Sequence, residues 1–573
     1  MALATLYANA LEKNSSLPKC HAIIIDHKIR DESSEEAKWV AEVLDKKFDM
    51  KSSIIPLEWP EHIDPNNTTN FETEARRLRY QALGLACKDK NLSSLLVAHH
   101  GDDQAETILM RMVNGRLRSG LQGMHPIQWI PECHGLHGVH HSGGLDTKRP
   151  PQRNPNIPYQ VERGGIQVLR PLLRFEKDRL IATCKEHDTP WVEDKTNQDK
   201  TLTTRNAIRH IIAHHTLPPA LSKRSLINIS LHMQDRIESC RRHAENLFNN
   251  HCLLKLDIQT GSLIVRFPPV STLFPNPIIT DSDKTLARNI AITLLQRLAE
   301  MVSPKEHTTI GQLAIAIDNI YPALSPKTGT SSPSKTSFSV FGIWFREWDR
   351  STPFVAPDAF LHRHENEWLL SRQPFENIES GKCAIEIPSH AADPYTTPKW
   401  HIFDGRFWIR VKNLSNEEVT IRPFTESDLA QLAKDSKTSL PGNWTQNFWS
   451  KDIYIKAALS FIKPADLRRT IPGIFRKRKG GGRDVLVALP TLGASVLGEK
   501  LGREGGWEVR YKKVDFGEHD VDEVVVPGIR RGDILGEAKR LNREAREKKI
   551  VIGRREEIEA EGARVVVPIS ERF

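Results

Sequence analysis

At 573 residues, 39% of them hydrophobic and 27% charged, the chain has the length for several domains and the composition of a globular protein. No run approaches the roughly 20 apolar residues of a membrane span, and the seven cysteines are scattered without a C-x-x-C pair, which excludes a disulfide framework and points to a reducing compartment. The formal charge of +9 suits an RNA partner without requiring one.

The first two hundred residues alternate strand and helix, which predicts an α/β domain with a mostly parallel sheet. Ala22 to Ile25 is a buried strand ending at Asp26-His27, and Ser33, with Glu36 three residues on, is placed to cap the next helix. Ser53 to Leu57 reads as a peripheral strand, about Asn70 to Lys88 as a helix, and Leu95 to Ala98 as a short buried strand. A helix comes next, with Ile108, Leu109, Met112 and Val113 on one face. Residues 130–163 dissolve into Gly, His, Pro and Asn and predict a surface insertion. Its Cys133, His134, His137, His140 and His141 have ligand chemistry but no second cluster to close a metal site. Strand character resumes at Ile166 to Leu173, so residues 1–215 form one domain. Residues 216–324 read as a helical domain and 325–339 as a Pro/Ser/Thr/Lys-rich linker. Residues 340–530 carry short aromatic strands such as Phe407 to Val411 and predict an α+β domain. A basic loop, Arg476 to Arg483, lies within it. A charged helix and tail fill 531–573.

The stretch His99-His100-Gly101-Asp102-Asp103-Gln104-Ala105-Glu106-Thr107 carries the most chemistry. It delivers two histidines and three acids to a strand-to-helix corner, where open α/β sheets place their sites. Asp103 as N-cap with Glu106 three residues on would make an acidic capping box, which accounts for two acids but not for the third or for the histidines. Asp102, Asp103 and Glu106 share one edge of the helix start, so they could hold Mg²⁺ or orient a cationic amine.

With its neighbours this block resembles the tRNA(Ile)-lysidine synthases, ATP-pyrophosphatase enzymes of the PP-loop family. Glu74-Ala75-Arg76 with Arg79-Tyr80 is similar to that family's A-R-x-x-R-Y helix, and Arg118 to Met124 to its S-G-L-x-G-M element, with Met112 to Leu117 widening the spacing before it. Arg170 to Leu173, Glu193 to Asn197 and Arg205-Asn206-x-x-Arg209 continue the series in order. The likeness covers roughly residues 1–215. It implies a Rossmann-like parallel sheet of the PP-loop type. It also implies a two-step reaction, in which ATP adenylates the wobble cytidine of a CAU anticodon and free lysine then displaces AMP. On that resemblance His99, Asp102, Asp103, Glu106 and Arg111 are the catalytic candidates. Asp26, His27 and Arg30 lie on the nucleotide side, Arg79, Arg205 and Arg209 contact tRNA, and Asp102 with Asp103 hold Mg²⁺. His99 would accept a proton as the amine attacks, and Arg111 would steady phosphate charge. The implied partners are tRNA(Ile), ATP and lysine, with no membrane. The implied location is mitochondrial, although no transit peptide is visible.

One departure stands out. The family opens with a central strand and an S-G-G-x-D-S loop that cradles pyrophosphate, and Met1 to Leu6 matches the first turns of the helix behind that loop. A copy of the pattern at Ser142 to Thr147 lacks a preceding strand and runs into Pro150-Pro151. The expectation is a misplaced start codon or a truncated isoform, with no lysine-dependent AMP release from the chain as it stands. The alternatives are a tRNA-binding form without ATP turnover and another PP-loop tRNA-modifying enzyme such as a thiolase. The second is disfavoured by the lack of a C-x-x-C pair.

Overall fold

The structure, a computed structural model, describes residues 1–29, 32–60, 68–142, 157–192, 204–306, 308–325, 336–348, 366–393, 395–438, 450–478, 483–502 and 504–562. The chain divides into two compact units, Met1–Pro151 with Glu162–Asn246, and Gln152–Val161 with Leu247–Phe573.

In the first unit the order is α1 (Ala2–Lys13), β1 (Ala22–Asp26), α2 (Glu32–Phe48), β2 (Ser52–Pro56), α3 (Thr68–Asp89), β3 (Ser94–Leu96) and α4 (Gly101–Val113). Then come β4 (Ile127–Trp129), β5 (Gln167–Leu169), α5 (Lys177–Glu186), α6 (Thr204–His214) and α7 (Lys223–His251). Tyr80, Leu83 and Cys87, spaced at helical intervals on α3, bury one face against Ile130, Val139, Ile166 and Val168. β1 pairs with β2 in parallel, and β3 pairs in parallel with β5, whose other edge takes β4 antiparallel. The expected parallel sheet therefore stands as two sheets, and among the described residues no ladder joins β1 to β3.

Two sequence expectations change here. Ser33 lies inside α2, and its hydroxyl donates to Asp26 at 2.6 Å instead of capping the helix. The predicted surface insertion is, over residues 130–142, part of the core: Ile130, Cys133, Val139 and Ser142 are all fully buried. Gly135 and Gly138 adopt positive φ (82° and 84°), which folds the turn back so that Val139 packs at Gly84, where a Cβ would come within 2.5 Å of it. The histidines serve this turn. His137 meets the buried Glu162 at 3.0 Å, and His140 Nδ1 reaches Ile130 O at 2.9 Å. The Ser142 hydroxyl accepts from the Gly138 amide, and the rest of the S-G-G-L-D-T copy lies outside the described residues, as do Glu193 to Asn197.

The second unit contains a five-stranded antiparallel sheet, and its first hairpin, Leu253–Asp257 with Ser262–Arg266, interrupts the stretch read as helical. The second strand of this hairpin lacks the alternation that would reveal it in sequence, because nearly all of Ser262–Arg266 is buried on both faces. Helices Asp281–Val302 and Ile310–Ile320 come after it. A second five-stranded sheet and a three-stranded sheet built from Trp400–Phe403, Phe407–Lys412 and Gly506–Tyr511 complete the strands. Part of the predicted insertion belongs to this unit: Tyr159 donates to Ile258 O, and Tyr511 N donates to Gln160 O at 2.9 Å. The last helix, Arg531–Gly562, is longer than its sparse apolar positions suggested.

Candidate functional site

The corner after β3 is built from backbone bonds first. Val97 N still donates to Leu169 O at 3.0 Å, and Gly101 N donates to Phe175 O at 2.7 Å. A Cβ on Gly101 would sit 3.0 Å from that same oxygen, so glycine is what allows the segment after β5 to close on the helix start. His100 is extended (φ −125°, ψ −177°), and its N–H donates to Asp103 Oδ2 at 3.0 Å. The cap is therefore one turn earlier than the sequence suggested: His100 is N-cap and Asp103 occupies N3. Glu106 is freed from capping and turns, buried, toward α6.

Arg205 and Arg209, four apart on α6, close on these acids. Arg205 Nε donates to Glu106 Oε2 at 2.8 Å and its NH2 to Asp103 Oδ1 at 3.1 Å, while Arg209 Nε donates to Glu106 Oε1 at 2.7 Å. Burial alone would lower the Arg205 pKa, but the Glu106 bond and the nearby carboxylates raise it. Asp102 faces elsewhere. It accepts the Lys177 amide at 2.9 Å and pairs with Lys223, which holds its pKa below the ordinary value despite burial. Asp102 and Asp103 thus turn to different partners. A divalent ion held by both would have to displace Lys223 and Arg205, so the pair does not fit Mg²⁺ as arranged.

His99 lies deeper. Burial pushes its pKa down to about 4; Asp103 opposes this, and Arg170, Arg79 and Arg205 reinforce it. Its Nδ1 is buried without a hydrogen-bond partner among the described residues. Arg79 is partly buried, with its guanidinium 5.6 Å from the Tyr80 ring; desolvation lowers its pKa, and Tyr80 and Glu72 oppose this. Arg170 donates to His125 O at 3.0 Å while its Nε has no partner. Among the described residues neither Arg79 nor Arg170 is in an ion pair. The three acids Asp102, Asp103 and Glu106 face the three cations Lys223, Arg205 and Arg209, and Arg79 and Arg170 stand outside this pairing, with Glu72 the carboxylate that acts on Arg79 from a distance. Of the two, Arg170 is buried and Arg79 partly exposed, and desolvated positive charge outside any ion pair makes this a candidate place for an anion.

The remaining candidates separate from this cluster. Arg111, on the last turn of α4, donates to Gly120 O at 2.6 Å and Gly123 O at 3.1 Å, so its guanidinium holds the turn after the helix. Asp26, at the exit of β1, is buried and accepts from Ser33, Ser34 and the Lys28 amide; burial would raise its pKa, and these bonds hold it well below the carboxylate range. The carbonyl of His27 accepts from Trp59 Nε1 at 2.7 Å. Arg30 lies outside the described residues. Sequence reasoning missed Lys223 and gave Arg170 no role at the site. Arg170 did carry a signal, a lone cation closing an apolar strand, whereas Lys223 comes from over a hundred positions away in an ordinary basic stretch.

The PP-loop domain family matches residues 1–216. A protein of Schizosaccharomyces pombe named probable tRNA(Ile)-lysidine synthase is 25% identical over 492 residues, which is 82% of this chain and 84% of that one. The tRNA(Ile)-lysidine synthase of Wolbachia pipientis is 30% identical over 43% of this chain and 48% of its own length. That of Thermosipho africanus is 34% identical over 33% of this chain and 35% of its own. No helix among the described residues is long and apolar enough to cross a membrane. Residues 1–216 thus match the PP-loop domain family, and the chain is similar to proteins named tRNA(Ile)-lysidine synthase.

Proposed function

We propose that the chain is an ATP-dependent tRNA-modifying ligase that joins lysine to C2 of the wobble cytidine of tRNA(Ile), through an adenylated tRNA. The observation that carries this reading is the leftover charge of Arg79 and Arg170 beside His99, at a corner whose acids are already balanced. Such a cluster suits a phosphate, from the nucleotide or from the tRNA backbone, and would stabilise charge on it during transfer. At a pKa of about 4, His99 is neutral and a weak proton acceptor. An anion seated against Arg79 and Arg170 would cancel charges that lower the His99 pKa. The ring would then become the acceptor for the proton the attacking amine releases. Asp103 and Glu106, neutralised by Arg205 and Arg209, would take the lysine ammonium by exchanging one of these arginines for it. No step is assigned to Mg²⁺.

The test is direct. The protein is incubated with ATP, lysine and a tRNA transcript bearing CAU, and lysidine is sought by mass spectrometry of the digested tRNA. Lysidine that disappears in Arg79→Ala supports the reading; tRNA binding without lysidine overturns the ligase assignment. That second outcome would leave a tRNA-binding protein without turnover, a reading favoured by the closed pairing of every acid at the corner with a protein cation.

A further inference from the structure

The end of α4 opposite the His99 corner is a projecting tip. Its helix closes with a Schellman turn: Gly115 takes φ +67°, Gly115 N donates to Met112 O at 3.0 Å, and Arg116 N donates to Arg111 O at 2.8 Å. That turn ordinarily tucks an apolar residue back against the helix. Here the position is Arg116, and the apolar residues on either side stay out, Val113 at 68% and Leu117 at 58% exposed. Arg116 is exposed and among the described residues forms no ion pair. Two large aliphatics and a cation thus stand together on five exposed residues.

The base beneath them is fixed. Arg111 holds the carbonyls of Gly120 and Gly123. The buried Gln104 accepts from Met124 N at 2.8 Å and donates to Met124 O at 3.1 Å and to the Ser230 hydroxyl at 3.1 Å. Gln234 donates to Gln122 O at 2.6 Å and Met124 O at 3.0 Å. Three side chains from α4 and α7 therefore anchor residues 118–124, and a partner meeting the tip loses little freedom of the protein on binding.

We infer that residues 113–117 form a second contact for the RNA substrate, with Arg116 on a phosphate and Val113 and Leu117 against the sugar or base faces beside it. The occupant rests on the tRNA reading above. A positive, partly apolar tip complements an RNA strand, whose phosphates alternate with flat apolar surfaces. A 13-residue helix spans about 20 Å, so an RNA with one nucleotide at the His99 corner would reach the tip further along its backbone.

The experiment measures tRNA binding to the full chain across a salt series, using the CAU transcript. Arg116→Ala should weaken binding about 3- to 10-fold and reduce the salt slope by about one. The pair Val113→Ser with Leu117→Ser should weaken binding with the slope unchanged. Lys46→Ala, which removes an equally exposed charge from α2, should alter neither. Thermal melts of all three should match the parent, because none of these side chains is buried. Parent binding that is identical in Arg116→Ala and in the serine pair overturns the tip and leaves the tRNA reading standing. A parent with no affinity for the transcript overturns both. A change in self-association instead of RNA affinity makes the tip a protein interface and also overturns it.

Discussion

Two charge networks, one in each unit, are finished differently. In the second unit Arg406 is fully buried, donating to Thr260 O at 3.0 Å, Thr470 O at 2.6 Å and Asp404 at 2.9 Å. Arg372 closes on the same Asp404 at 3.1 Å. Each of these cations has a carboxylate and carbonyls around it, which is how a core tolerates charge. At the α4 corner the acids are equally well paired, yet among the described residues Arg79 and Arg170 remain without counter-ions and His99 Nδ1 without a partner. The closed network holds a fold together. The open one retains an electrostatic cost that a bound anion would relieve, and that difference, more than burial, separates a site from a core.

The largest effect expected from this contrast is on stability in the second unit. Arg406→Met leaves Asp404 buried beside only Arg372 and strips two carbonyls of their donor, and it should cost about 3–5 kcal/mol in chemical denaturation. A loss under about 1 kcal/mol would mean that the network is not closed. Next comes activity at the corner. Arg79→Ala should reduce lysidine formation about 10²- to 10³-fold while leaving the melting temperature unchanged or slightly raised, since a partly desolvated charge outside any ion pair is removed. A large fall in melting temperature would show that Arg79 is structural, like Arg406. Arg205→Ala should be intermediate, losing activity and also roughly 1–3 kcal/mol of stability because Glu106 and Asp103 keep only Arg209. The smallest effect is in pH. His99 has a folded pKa of about 4 against an ordinary 6.5, so as pH falls through 6.5 toward 4 the unfolded chain takes up the proton first and stability declines. His99→Gln should flatten that part of a urea-melt series, and phosphate or ATP should flatten it as well by raising the folded pKa.

Much of the first unit could be read from the chain. The apolar runs at Ala22 to Ile25 and before His99 read as strands and are strands, and the stretch from about Asn70 to Lys88 reads as the helix it is. Boundaries were less legible. Asp103 looks like a cap because cap residues are recognised by type, but Gly101 lets the helix start about one turn earlier, and only the Phe175 carbonyl reveals why. The stretch 130–142 looks like a loop because its glycines and histidines carry no period. It is buried because a turn with two positive-φ glycines needs no period to pack.

The residue types of the corner, its family likeness and its place after a strand came from sequence alone, since local pattern and motif order survive without coordinates. Which acid meets which cation did not. Arg205, Arg209 and Lys223 approach Asp103, Glu106 and Asp102 from 99 to 121 positions away. That balance of charge, and the two arginines it leaves over, is a property of three-dimensional packing, because ion pairing depends on distances that sequence spacing does not encode.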